Sequence, residues 1–336
     1  MAQIEKCRIE WLDTARGICA FCVLLAYSGF CPDVYLKIYT PFFLMLFFVI
    51  SGFLFKERSV LQSFKKVLNG LVFPYFALCF IEIIIGFDNF HALSQGNYII
   101  VLERIKDVFL GKNMWFIPCL IMVQIYFILL QFIIKRISFL EKKDSSFLIA
   151  GLLTLFSVYL IRNWNFETSY WYYDTALFAL AYFTIGYYLK NKNITIKTRR
   201  LSTILLIVFS LVAVLGQQYL NVRFHVAYNY YASPFWFFFI SWFGIISIVL
   251  FCQNFSLPRY IQLLGENTLL LFAVSSKTKA LLLVFLAKMP IKIETILGDY
   301  IFSILFCFIE GIMIILLAMV VNRYIPQLVG KKNWIN

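Results

Sequence analysis

Apolar residues dominate this chain in uninterrupted runs, and polar residues cluster between them. Many runs reach roughly 18 to 22 residues, enough for a helix to cross about 30 Å of hydrocarbon. Backbone in lipid must satisfy its own hydrogen bonds, which leaves helices or a closed barrel. Barrel strands alternate apolar and polar side chains, and these runs do not. The pattern predicts an all-α, polytopic membrane bundle forming a single domain over 1–336, with ten spans near 15–31, 40–55, 70–87, 115–134, 146–162, 170–189, 201–219, 232–252, 267–287 and 299–321. The short second run is bracketed by Pro41 and Gly52. Between the third and fourth runs, 97–110 has apolar residues at helical spacing with charges between them, which predicts an interfacial amphipathic helix.

Composition agrees: 62% of the 336 residues are hydrophobic and 14% charged, with mean hydropathy +0.83. A soluble domain is nearer half apolar and a quarter charged. The net charge of +13 would suggest nucleic acid in a soluble protein. In a membrane protein it points instead to cytoplasmic loops against anionic lipid, so membrane lipid is the expected partner and nucleic acid is not. Twenty lysines and arginines fall on the two terminal segments and the even-numbered loops, against eight on the odd-numbered loops. Cytoplasmic loops carry the excess of cations, so both termini are expected in the cytoplasm, with an even number of spans. The apolar run after Gly17 has no small-residue cleavage site behind it and is expected to remain as a span. The eight cysteines lie mostly inside apolar runs, where they read as small buried hydrophobes, and no metal is expected.

Few polar residues are placed to do chemistry. Asp13 and Arg16 are three apart at the mouth of the first span, so they share a helix face. They fit an ordinary charged helix start with a snorkelling arginine, or a site. Glu82, Asp174, Lys277, Lys279 and Glu310 fall within spans, where ionisable groups are costly. A Glu310–Lys277 pair would neutralise two of them, either as a structural ion pair or as part of an acceptor or ion path. A lysine made more acidic by burial could also serve as a base.

The opening stretch, Asp13-Thr14-Ala15-Arg16-Gly17 followed by a span, resembles the start of acyltransferase family 3, integral-membrane enzymes that O-acetylate surface polysaccharides. Four further segments are similar to that family in chain order: Phe47-Phe48-Val49-Ile50-Ser51-Gly52-Phe53-Leu54-Phe55, Lys65-Lys66 leading to Pro74-Tyr75-Phe76, Trp115-Phe116-Ile117-Pro118, and Leu264-Gly265-Glu266-Asn267-Thr268-Leu269. The resemblance implies a bundle of about ten spans in a bacterial inner membrane. It implies acetyl-CoA as acyl donor, with Asp13, Arg16, Lys65 and Lys66 near its phosphates, and a glycan hydroxyl as acceptor. In the family a basic residue is followed eleven positions later by a catalytic histidine. Eleven residues return to nearly the same helix face about 16 Å further along, so a cation could hold phosphates while an imidazole meets the thioester.

Here the eleventh position is Tyr27, and a second frequent family histidine falls on Ser275. The two histidines present, His91 and His225, lie in predicted outer loops. A free phenol holds its proton well above neutral pH and is a poor base. The candidate reacting centre is therefore Tyr27, Ser275, Lys277 and Glu310. Two functions are open: an O-acyltransferase, or a catalytically disabled homologue acting in glycan or lipid translocation or beside a polysaccharide synthase.

Overall fold

A computed structural model of the chain describes residues 9–86, 98–136, 149, 151–156, 158–159, 169–190, 197–220, 224–226, 230–231, 233–288 and 296–334. The described architecture is helical: α1 (Glu10–Ser28), α2 (Asp33–Tyr39), α3 (Phe43–Leu54), α4 (Val60–Val67), α5 (Phe73–Ile85), α6 (Tyr98–Phe109), α7 (Phe116–Arg136), α8 (Tyr173–Leu189), α9 (Arg199–Leu220), α10 (Pro234–Asn254), α11 (Arg259–Glu266), α12 (Thr268–Leu286) and α13 (Ile296–Tyr324). A two-rung antiparallel hairpin, Phe224 opposite Tyr231 and His225 opposite Tyr230, joins α9 to α10.

Among the described residues, 7 helical runs are long and apolar enough to cross a membrane: Asp33–Leu54, Val60–Ile85, Phe116–Arg136, Arg199–Leu220, Pro234–Asn254, Thr268–Leu286 and Gly298–Tyr324. Two other predicted spans are helices of a different kind. α1 carries Asp13 and Arg16, and α8 is 17 residues long with four tyrosines and Asp174. The predicted span at 146–162 is helical where it is described. The predicted amphipathic helix is α6, which buries Val108 and exposes Tyr98, Ile99 and Leu102.

Burial sorts the helices into centre and rim. α3 buries nine of its 12 residues, and α1 hides Ala15, Cys19, Ala20, Val23 and Leu24 completely. α9 buries only Ser202, Phe209, Ala213 and Gln217, a single stripe at helical spacing, and offers the rest to lipid. Lipid is as apolar as leucine, so burial of apolar surface does not drive these helices together; close packing of small residues does. A Cβ on Gly52 would overlap the carbonyl oxygen of Phe183, and one on Gly186 would overlap that of Val49, so α3 and α8 cross backbone to backbone. Six of the seven described cysteines are buried and all are free thiols, as small core residues.

α4 and α5 form one continuous helix interrupted by a π-turn at Leu68–Val72. Pro74 explains it: proline has no N–H for the carbonyl four residues back and its ring clashes there. Phe73 donates to Leu68 five residues back instead, and the Asn69 amide donates to the Lys65 carbonyl at 3.1 Å.

Candidate functional site

At one end of α1, two of the sequence motifs meet. A Cβ on Gly17 would overlap the carbonyl oxygen of Ile261 in α11, and one on Gly265 would overlap that of Asp13 and come within 2.7 Å of Gly17 N. Each glycine lets the other helix's backbone in. This contact delivers α11 and the start of α12 to Arg16, whose Nη2 donates to Thr268 Oγ1 at 3.3 Å. Asn267, the residue before α12, gathers the neighbourhood: its Oδ1 accepts from Asn322 Nδ2 at 2.8 Å and from Lys331 Nζ at 3.0 Å. Trp334 N donates to Asn69 Oδ1 at 2.8 Å, tying the C-terminal segment to the π-turn. Arg16, Lys331 and the amide end of α12 thus converge, an arrangement that favours anions. Lys65 and Lys66 stay exposed on α4 at this end.

At the other end of α1, Tyr27 lies in the last turn, about 16 Å along the axis from Arg16. It is 49% exposed and opens into a cavity of about 490 Å³. The floor is Phe116 stacked on Phe272, with ring centroids 4.7 Å apart. Trp115 and Tyr172 stand on the wall, tilted against each other at 5.7 Å. Glu82, Arg104, Lys112 and Ser275 supply polar lining. Trp115 Nε1 donates to Tyr27 Oη at 3.2 Å, and Lys279 Nζ donates to the Tyr27 carbonyl at 2.7 Å. An indole N–H can only donate, so Tyr27 Oη accepts there and its own proton is directed elsewhere.

The rim of this cavity holds unusual backbone. Met114, Trp171 and Tyr172 have φ of 48°, 56° and 52°, left-handed values that cost non-glycine residues about 1–2 kcal/mol each. Surrounding contacts hold them. Trp171 N donates to Leu110 O at 3.0 Å and its indole Nε1 to Phe109 O at 3.0 Å, while Gly111, at φ 69°, leaves room for the indole. Beside Trp171 and Tyr172, Asp174 accepts from Ser169 Oγ and from Thr175 N at the start of α8, where a carboxylate suits the helix dipole. Asp174 therefore has a structural task.

The structure sorts the residues singled out by sequence. Tyr27 and Ser275 share the cavity, and Arg16 and Asp13 share the opposite end of α1. The expected Glu310–Lys277 pair is not formed. Positions 277 and 279 point to different sides of α12, since two residues turn a helix by about 200°. Lys277 lies 3.8 Å from Glu82 on α5, and Lys279 reaches α1. Glu310 is 2% exposed and accepts from Thr278 Oγ1 at 3.2 Å, away from the cavity lining. Neither Lys277 nor Glu310 lines the cavity. Sequence reasoning missed Arg104, Lys112, Tyr172 and Lys331. Arg104 and Lys112 had a signal, being cations on a loop predicted to face outward, where cations are sparse.

The 7 described helical runs long and apolar enough to cross a membrane mark the class as a multi-pass membrane protein. A family profile described as an acyltransferase domain matches residues 9–323. The chain therefore belongs to acyltransferase family 3 and is, in general terms, a membrane acyltransferase. Comparison with curated proteins and with solved structures finds no match.

Proposed function

We propose that the protein transfers an acetyl or other acyl group from acyl-CoA to a hydroxyl of a cell-surface or lipid-linked glycan, in a bacterial inner membrane with both termini in the cytoplasm and ten spans. The observation that carries this reading is α1 itself. Its Arg16 end meets Lys331 and the amide end of α12, a setting for the phosphates of the donor, and its Tyr27 end opens into the aromatic cavity. The span between them is comparable to the arm that carries the thioester. Trp115, Tyr27 and Tyr172 offer ring faces for a sugar, and Glu82 is the one carboxylate among the described lining residues.

The chemistry follows from the hydrogen-bond directions. The acceptor hydroxyl oxygen attacks the thioester carbon, and the carbonyl oxygen takes the electron pair. Tyr27, already accepting from Trp115, donates its O–H to that oxygen, so it acts as an oxyanion partner instead of a base. Glu82 takes the hydroxyl proton. Collapse of the intermediate breaks the carbon–sulfur bond, and the departing thiolate recovers a proton from Glu82. Ser275 lines the same cavity, and Lys277 lies 3.8 Å from Glu82.

A second reading has its own observation. Tyr27 stands where the family carries histidine, and no histidine is among the described lining residues. On that reading the chain is a disabled homologue in glycan or lipid translocation or a partner of a polysaccharide synthase. Purified protein given acetyl-CoA labelled in the acetyl group separates the two. Transfer by the parent, lost in Arg16→Ala, supports the enzyme. An inert parent that gains activity as Tyr27→His establishes the disabled homologue.

A further inference from the structure

We infer that the Tyr27 cavity selects an anionic saccharide, one bearing a carboxylate or phosphate that Arg104 and Lys112 hold while the sugar lies against Trp115 and Tyr172. The inference rests on the reading of this cavity as the acceptor site. Three observations lead to it.

The first is the charge of the lining. Arg104 and Lys112 come from α6 and the loop that follows, and both face the cavity. Glu82, the acidic residue among the described lining, is already met by Lys277 at 3.8 Å. Asp107 pairs with Lys112 at 3.5 Å, but both partners are about 40% exposed and water screens such a contact heavily. The second is the floor. Stacked Phe116 and Phe272 form a low-dielectric wall behind the cations, and such walls focus the field of one charge sign on a bound group. The third is topological. In the proposed orientation α6 lies on the outer side, where membrane proteins carry few cations. Arg104 and Lys112 are thus cations on the side where the membrane surface itself calls for few, and both line the cavity.

The aromatic rings add the sugar requirement, because they stack on its apolar face without regard to charge. Arginine then selects a planar or tetrahedral anion by paired N–H donors. A neutral glycan would satisfy the rings and make no use of the charge on Arg104 and Lys112.

Isothermal titration of the detergent-purified full chain tests this, with three trisaccharides of equal size ending in glucose, glucuronic acid or glucose phosphate. At least one anionic probe is expected to bind roughly tenfold more tightly than the neutral one, and which does so identifies the anion. The preference should shrink as salt rises from about 0.05 to 0.5 M, as screened charge requires. Arg104→Gln and Lys112→Gln should each remove most of it, while Lys106→Gln, on the exposed face of α6, should leave it intact. Equal binding of all three probes overturns the anion preference and leaves the acceptor site standing. Binding of none overturns both. Because the readout is binding, neither outcome depends on acyl transfer.

Discussion

The two ends of α1 are built on opposite principles. At the Arg16 end, Gly17 and Gly265 let two backbones touch, and Asn267 joins α12, α13 and the C-terminal segment through side-chain hydrogen bonds. At the Tyr27 end, three non-glycine residues hold left-handed backbone around an open cavity, and Tyr27 itself is half exposed. One end is closed by contact and leaves little to adjust; the other stores strain around open space. Strained backbone persists where neighbouring contacts over-determine it, and it gathers where a protein must act. The difference teaches that the most recognisable sequence motif, Asp13 to Gly17, does as much to join helices as to bind anything.

That contrast can be broken from either side. The largest effect is expected from Gly17→Val, whose side chain would occupy the space of the Ile261 carbonyl. Overpacking at a backbone contact should cost more than about 3 kcal/mol, read as loss of the monodisperse peak and of the thermal transition in detergent. At the opposite end, Tyr27→Phe should leave the melting curve unchanged while lowering acyl transfer about 10²–10³-fold in kcat, the effect of removing one oxyanion donor. A melting transition that falls with activity would mean Tyr27 is structural. Asn267→Ala comes next. It strips the acceptor from Asn322 and Lys331 and should destabilise by about 1–3 kcal/mol, with a raised KM for acyl-CoA if the Arg16 end holds the donor. The smallest stability change should follow Lys277→Met. Its contact with Glu82 is half exposed, so less than about 1 kcal/mol is at stake. Glu82→Gln should nonetheless abolish transfer, and full activity in that variant would remove Glu82 from the proton path.

Much of the fold could be read along the chain. The apolar runs mark the helices, and α6 answers to its period. The structure joins the first motif to the last, Gly17 to Gly265, which chain order does not foretell. Which helices touch was less legible. Phe47, Phe48, Phe116 and Phe272 are interchangeable to a hydropathy count, yet they meet beneath the cavity. The Glu310–Lys277 expectation failed for the same reason. Complementary charge says that two groups could pair, while the rotation of α12 decides which neighbour each one faces.

By itself, the sequence determined that this chain lives in a bilayer as helices, because nothing else satisfies the backbone of such long apolar runs. It also carried the family, through Asp13 to Gly17 and the segments that follow. Only the tertiary structure decided that Gly17 and Gly265 are one contact, that Lys277 belongs to Glu82, and that Tyr27 opens into a cavity walled by Trp115 and Tyr172. In lipid, a helix gains nothing from one apolar neighbour over another except fit. Fit is a property of surfaces in contact, and residues far apart in the chain write it together.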